Sequence, residues 1–325
     1  MNIRICFGFR HSDFGLVGLF VLALIGFSQT TRAAPLDKYS ALIVADPNSS
    51  AHASSHSIRI TYLGVNGFQF ETDGRTLLVD PYFTRVGLWA SALNRPIESN
   101  SQRVDEGLRH VRSPVDAILV THAHFDHLLD VPDIMRRTHA RLIAGPTAVR
   151  LVNSFGVSGT ASRAVKPGGV QRVGPWTIRI LRAEHDRLFG KIPFNGRSRA
   201  SNPAKPSDWV LGEPLAFVIE AADKRIYIDS GGTPGAPPGS RIKNVDLAIL
   251  GVALPDSRKR FVETVRQLKP RYILPSHQDD MFAPMNRGFV FGKMTNFPAL
   301  LRNARQQELS GRVILLDYFK PWTLP

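Results

Sequence analysis

Cysteine is almost absent from this sequence: the one thiol is Cys6, and none follows it. A chain processed beyond that point has no disulfide, and no thiolate can ligate a metal in it. Cys6 also precedes the apolar run from Gly15 to Phe27, the wrong side for lipid attachment after cleavage. That run is shorter than the roughly 20 residues a membrane span needs. Acidic residues are scarce as well, 27 Asp and Glu against 41 Lys and Arg, for a net charge of +14. The surplus suits anionic partners such as phosphorylated substrates, acidic lipid head groups or cell-wall polymers. It is not specific, since many exported proteins are simply basic, and it does not make a nuclease. Short-period repeats are missing, which argues against a solenoid.

What is there is an ordinary globular composition, 43% hydrophobic and 21% charged, enough for a full core. Arg4 and Arg10, the apolar run, and the small residues closing it at Thr31-Arg32-Ala33-Ala34 follow the order of a secretory signal peptide. Residues 1–33 are therefore expected to be removed, leaving a periplasmic or extracellular protein; an uncleaved N-terminal membrane anchor is the alternative. Their loss takes away Arg4, Arg10, Arg32 and Asp13, so the mature chain stays basic. Residues 34–57, rich in Ala, Ser and Pro, read as a flexible leader in which His52 and His56 are solvated. Residues 58–325 form a single folded domain in this reading.

From Ile58 the texture becomes regular. IRITYLG and GFQFETDG predict a hairpin, and RTLLVDP a buried strand ending at Asp80-Pro81. Residues 84–113 carry no clear element. VDAILV (115–120) is a continuous apolar run that predicts a buried strand, VPDIMRRT a helix and ARLIAG another strand. In the second half WTIRILRA, LAFVIEA, KRIYIDS, VDLAILGV, YILPSH and RVILLDYF predict strands, and RFVETVRQLK an amphipathic helix stopped by Pro270. The rhythm predicts an α/β fold of two sheets packed face to face with helices outside.

Five of the ten histidines fall at three addresses, each directly after a predicted buried strand: His122, His124 and His127, then His185, then His277. Asp80 and Asp229 end such strands too. Strand ends on one edge of a sheet converge in space. In extended backbone His122 and His124 point the same way and can share one ion. Asp126 and His127 are neighbours, must diverge, and suit a second ion. Imidazole nitrogen and carboxylate oxygen match zinc, His185 and His277 are the remaining ligands in reach of the order, and Asp229 fits between the ions. The bland alternative makes Asp126 a helix N-cap among exposed histidines. For Asp80 it is an Asp-Pro turn. His110 and His139 fall outside the pattern.

THAHFDH resembles the His-x-His-x-Asp-His signature of the metallo-β-lactamase-fold superfamily, and the later His, Asp and His keep that family's order over residues 58 to 320 or so. TYLGVNGFQFETDGRTLLVDPYF is similar to the opening hairpin of the subgroup that holds ascorbate-6-phosphate lactonase and the phospholipase D acting on N-acylphosphatidylethanolamine. The resemblance implies a four-layer αββα fold and two Zn²⁺, with Mn²⁺ or iron as alternatives. Carried over by position, one ion falls to His122, His124 and His185, the other to Asp126, His127 and His277, with Asp229 bridging and Asp80 orienting a ligand histidine. An aspartate at 229 resembles the phosphodiesterase, lactonase and glyoxalase II branches rather than the β-lactamases, which carry Cys or Ser there. His124 argues against the oxygen-reducing branch, which has glutamate at that place.

The activity expected is hydrolysis of a phosphodiester or a lactone or ester of a small anionic or amphiphilic substrate. Two metals about 3.5–4 Å apart hold a water as hydroxide near neutral pH; Asp126 and Asp229 are the catalytic carboxylates, Asp126 passing a proton. A metal- or ligand-binding protein without turnover and a membrane-associated phospholipid hydrolase docked on anionic head groups are the rival readings; no specific nucleic acid partner is expected. Residues 186–214, with Arg187, Lys191, Arg197, Arg199 and Lys205 beside Phe189, Phe194 and Trp209, are a candidate lid, or else a solvated insertion. Residues 279–293 are a candidate second wall.

Overall fold

A computed structural model describes residues 35–325 except 49, 189, 197–201, 232–241, 243, 255–256 and 293–294. The signal peptide reading falls outside the described residues, as do Phe189, Arg197 and Arg199. Among the described residues no helix is long and apolar enough to cross a membrane.

The strands read from the apolar runs come in the predicted order, and three short ones that leave no apolar run, at 162–164, 170–173 and 322–324, join them. In the first half they are β1 (Ile58–Gly64), β2 (Gly67–Thr72), β3 (Arg75–Val79), β4 (Val115–Val120), β5 (Arg141–Ala144) and β6 (Ser162–Ala164). In the second half they are β7 (Val170–Val173), β8 (Trp176–Arg182), β9 (Leu215–Ala221), β10 (Lys224–Asp229), β11 (Leu247–Gly251), β12 (Tyr272–Ser276) and β13 (Arg312–Val313), and β14 (Trp322–Leu324) closes the chain. They form two seven-stranded mixed sheets, ordered β14-β1-β2-β3-β4-β5-β6 and β13-β12-β11-β10-β9-β8-β7.

Strands β3, β4 and β5 run parallel, as do β10, β11 and β12. Central parallel strands are covered on both faces, which is why VDAILV is apolar throughout rather than alternating. Ala117 and Leu119 of β4 face the core between the sheets, together with Leu77, Val79, Phe217 and Ile228. Ile118 and Val120 face the outer helices, packing with Leu128, Ile134 and Leu151. Those helices are α1 (Leu88–Ala92), α2 (Ser101–Leu108), α3 (Phe125–Leu128), α4 (Val131–Thr138) and α5 (Pro146–Asn153). On the second sheet α6 (Ser257–Leu268) and α7 (Phe297–Gln306) bury Phe261, Val265 and Leu300. The result is the metallo-β-lactamase fold, helix layer, two sheets, helix layer.

Three stretches differ from expectation. Residues 36–48 are not a loose leader: Leu36–Leu42 is a 3₁₀ helix, Leu36 is buried, and Tyr39 packs edge-on against Phe291 and Phe297. Asp46 then ties down Arg59 (2.9 Å) and Thr323. A few apolar anchors suffice to order a segment whose composition shows no period. His52, mostly exposed, meets Glu71 at 2.8 Å. Residues 84–113 contain α1 and α2, the latter capped by the Asn100 side chain accepting from the Arg103 backbone N–H. RVILLDYF is a strand only at Arg312–Val313. Its apolar residues pass from one sheet toward the other, with Leu315 bridging to Ile43 and Tyr318 to Tyr62.

Candidate metal centre

The motif sits where β4 ends. Thr121 and His122 leave the strand, His124 is the N-cap of α3, and Asp126 and His127 lie inside its single turn. The His124 and Asp126 side chains make no cap bond; Asp126 is instead within 3.0 Å of His277 Nε2 and 3.3 Å of His127 Nε2, and is buried. The helix-cap reading of Asp126 therefore fails. Strand β8 delivers His185 and β12 delivers His277, whose backbone is held at φ 53° with its N–H on the Val65 carbonyl at 2.6 Å. A non-glycine residue in this left-handed region stores strain and persists only where the surroundings fix it.

Two groups of three ligand atoms result, His122–His124–His185 and Asp126–His127–His277, the atoms of each within 4.8 Å of one another. The His122 and His127 rings, one from each group, lie 4.0 Å apart between centroids, so the groups are adjacent. Protonation makes the first group a cation site. Asp80 accepts the Thr121 hydroxyl at 2.5 Å, so the Thr121 oxygen is free to accept from His122 Nδ1 at 3.2 Å. His124 Nε2 donates to the Pro193 carbonyl at 3.1 Å and His185 Nδ1 to the Asp186 carbonyl at 2.7 Å. Each neutral imidazole has one donor nitrogen. His122 Nε2 and His124 Nδ1, 3.0 Å apart, are then two lone pairs aimed at each other. With the ring protons so placed, a cation between the two nitrogens satisfies the pair, and the donor set fits zinc or a similar divalent ion.

Electrostatics agree. Burial, with the neighbouring imidazoles, pushes His122 and His124 well below the ordinary histidine value, and burial takes His185 to about 4. All three stay neutral and ready to ligate. His127 goes the other way: burial opposes its charge, but Asp126 and Asp80 outweigh that and raise it to about 10. Burial likewise opposes the charge on Asp126, yet His127 and His277 hold its carboxyl well below the usual range.

Asp80 lies behind the centre, as the sequence suggests, and is fully buried. It accepts from His127 Nδ1 and Asn66 Nδ2, both at 2.9 Å, and from the Thr121 N–H at 2.8 Å. Asn66 in turn accepts from Ser276 beside His277 at 2.6 Å. Sequence reasoning missed Asn66 and Thr121, although Thr121 adjoins the motif.

Asp229 is the residue that the structure does not place in either ligand group. Its buried carboxylate is turned to Arg260 Nη1 (3.3 Å) and to the Gly251 N–H (3.2 Å), and it belongs to neither ligand group. Neighbours on a strand point to opposite faces, and the next residue, Ser230, takes the inward place, its Oγ 3.5 Å from His127 Nε2. His110 and His139 are exposed and outside the centre.

An open pocket leads to His124, Asp126, His185 and His277, walled by Phe125, Phe194, Leu254, Met281 and Phe282. Segment 279–293 does supply a wall. Of the aromatic candidates in 186–214, Phe194 reaches the site, its ring 6.0 Å from that of His124. Trp209 is buried against Phe155 instead, and Arg187, Lys191 and Lys205 do not line the pocket.

The family described as the beta-lactamase superfamily domain matches residues 59–277, more than half of the chain. A UPF0173 metal-dependent hydrolase of Chelativorans sp. is 28% identical over 171 residues, covering 52% of this chain and 61% of that protein. Another with that name, from Polynucleobacter asymbioticus, is 26% identical over 280 residues, 82% of this chain and 90% of that one. Among solved structures, a metallo hydrolase from Ignicoccus hospitalis superposes with a TM-score of 0.56 at 18% identity, over 83% of this chain and 99% of that one. Histidine motif, ligand geometry and family match agree, and the chain belongs to the beta-lactamase superfamily with the metallo-β-lactamase fold.

Proposed function

We propose that this protein is an exported binuclear metal-dependent hydrolase, zinc-loaded, that cleaves a phosphodiester or a lactone or ester carrying both an anionic and an apolar group. The observation that carries the reading is the pair of facing acceptor nitrogens, His122 Nε2 and His124 Nδ1, beside the Asp126–His127–His277 group. The name of the relatives, metal-dependent hydrolase, supports hydrolysis. When bound, two divalent ions supply a water made acidic enough to act as nucleophile and polarise the scissile group.

The chain's own residues do the rest. Asp80, Thr121 and Pro193 fix which nitrogen of each motif histidine faces the centre. Asp126, ionised at neutral pH, can accept a proton from the attacking water. Phe125, Phe194, Leu254 and Phe282 exclude water and receive an apolar portion of the substrate. At the mouth α1 places Ser91 in the pocket and leaves Trp89 61% exposed, which favours an amphiphile over a purely polar ester. The test is a hydrolysis screen of metal-loaded protein with bis-p-nitrophenyl phosphate, lactones, thioesters and phospholipids. Turnover of one class, lost in His122→Ala, supports the reading; two bound ions with no turnover of any class would refute it in favour of a metal-binding protein.

A further inference from the structure

Strands β1 and β2 carry a polar outer face where β3 and β4 carry an apolar one. Ile60, Tyr62, Phe68 and Phe70 point into the core between the sheets. Their neighbours Arg59, Thr61, Gln69 and Glu71 point the other way, yet each is only 2–3% exposed. On β3 and β4 that face holds Leu78, Ile118 and Val120 under the helices. Register sets Arg59 opposite Glu71 and Thr61 opposite Gln69. The ion pair this offers is not made. Arg59 turns to Asp46 through Nε and to the Asn48 carbonyl through Nη2, while Glu71 Oε1 takes His52 Nδ1 and the Ala53 N–H. Arg59 Nη1 and Glu71 Oε2 are left without a partner among the described residues. Buried polar groups are costly unless something bonds to them.

A pocket opens over this floor. All four residues line it, with Arg109, His110, Arg112 and Phe319 at the rim, and it shares no residue with the pocket at the metal centre. The rim is fastened to the floor: the Arg112 N–H donates to Gln69 Oε1 at 2.7 Å, and Arg112 Nη2 to the Ser50 carbonyl at 3.0 Å. Phe319 donates its N–H to the Tyr62 carbonyl at 3.0 Å and lays its ring flat on His110, centroids 4.0 Å apart. The charge is one-sided. Asp46 answers Arg59, but Glu71 is the one carboxylate among the lining residues against three arginines. Burial, then the charges of Arg109 and Lys320, push His110 below the ordinary histidine value. We propose that this pocket is a second ligand site, independent of the metal centre, for a small hydroxylated anion, a sugar phosphate or a sugar acid. Its oxyanion lies against Arg59 Nη1 on the Arg109 side of the rim, where charge-assisted bonds hold it. A ligand hydroxyl donates to Glu71 Oε2, and the stacked Phe319 and His110 rings form a flat wall for the carbon skeleton.

Calorimetric titration of the metal-loaded protein, in about 0.15 M salt to screen loose adhesion, tests this with glucose 6-phosphate, gluconate and neutral glucose. At least one acid should bind at a single site with a Kd of about 1 mM or tighter, and which one does so separates phosphate from carboxylate. Glucose should bind about tenfold more weakly or worse, lacking the charge-assisted bond. Arg59→Gln and Arg109→Glu should each weaken the acid about tenfold or more. Arg59→Gln strips Asp46 of its partner, so Arg109→Glu, at an exposed position, keeps the test valid where the first variant fails to fold. His122→Ala, which dismantles one ligand group of the metal centre, should leave the acid's affinity unchanged. Three results would overturn the proposal: no binding of either acid to wild type, wild-type affinity in Arg109→Glu, or loss of binding in His122→Ala, which would place the anion at the metal centre.

Discussion

Consider replacing Asp80 by Asn. The wild-type carboxylate is fully buried and accepts from His127 Nδ1, the Thr121 hydroxyl and N–H, and Asn66 Nδ2. An amide at this position keeps the shape but exchanges one acceptor oxygen for a donor, so at least one of these donors faces another N–H. Leaving a buried donor unsatisfied costs about 1–3 kcal/mol. The effect at the centre is more specific. His127 loses the acceptor that fixes its Nδ1–H and directs Nε2 forward, and loss of such a partner typically lowers metal affinity by about 10- to 100-fold. His124 and His185 are oriented by Pro193 and Asp186 instead, and His122 meets Asp80 only through the Thr121 hydroxyl. The ion at His127 should therefore weaken more than the ion at His122, His124 and His185. Competition with a chromophoric chelator resolves the two steps, and a urea melt of the metal-free protein reads the stability loss. Two equally weakened ions, or wild-type affinity for both, would refute the assignment of Asp80 to His127.

Other outcomes follow from the same geometry. His127, raised to about 10 by Asp126 and Asp80 against burial, is protonated at pH 8 in the metal-free protein, so ion binding should release about one proton there. Calorimetry in two buffers of different ionisation enthalpy measures it, and no release would contradict the pairing. His185 is depressed to about 4, so the stability tied to its neutral form is present above pH 6.5 and is lost as pH falls from 6.5 towards 4. That loss is worth about 3 kcal/mol for this group alone, with His122 and His124 shifted in the same direction. His127 titrates outside this window: its contribution is full below pH 6.5 and is lost as pH rises from there through about 10. Urea midpoints of metal-free protein at pH 6.5 and pH 4.5 compare the two ends of the His185 window, and equal values would be contrary. Leu119→Ala, at a fully buried position between the sheets, should cost about 2–5 kcal/mol in the same melt while leaving metal stoichiometry unchanged.

How much of this is legible in the sequence depends on what the residues encode locally. VDAILV and VPDIMRRT give their strand and helix to the residue, because continuous burial and a four-residue apolar spacing each leave a pattern. THAHFDH, His185 and His277 are legible because strand ends share an edge, and order along the chain then maps to position in space. The orientation of Asp229 is not legible, for a physical reason. Which of Asp229 and Ser230 faces the centre is a matter of one-residue parity at a strand end, and Asp229 meets Arg260 on a helix 31 positions away. No local pattern announces that partner. The segment 36–48 is read as loose because its anchoring rests on Leu36, Tyr39 and Asp46 meeting partners from the other end of the chain. Such contacts are tertiary and leave no period.

The central claim is that the histidine-rich strand ends form a centre for two ions. Anomalous diffraction at the zinc edge from crystals grown with zinc tests it most directly. The account predicts two peaks per chain, one among His122, His124 and His185 and one among Asp126, His127 and His277. No peak there, or a single peak, would contradict it.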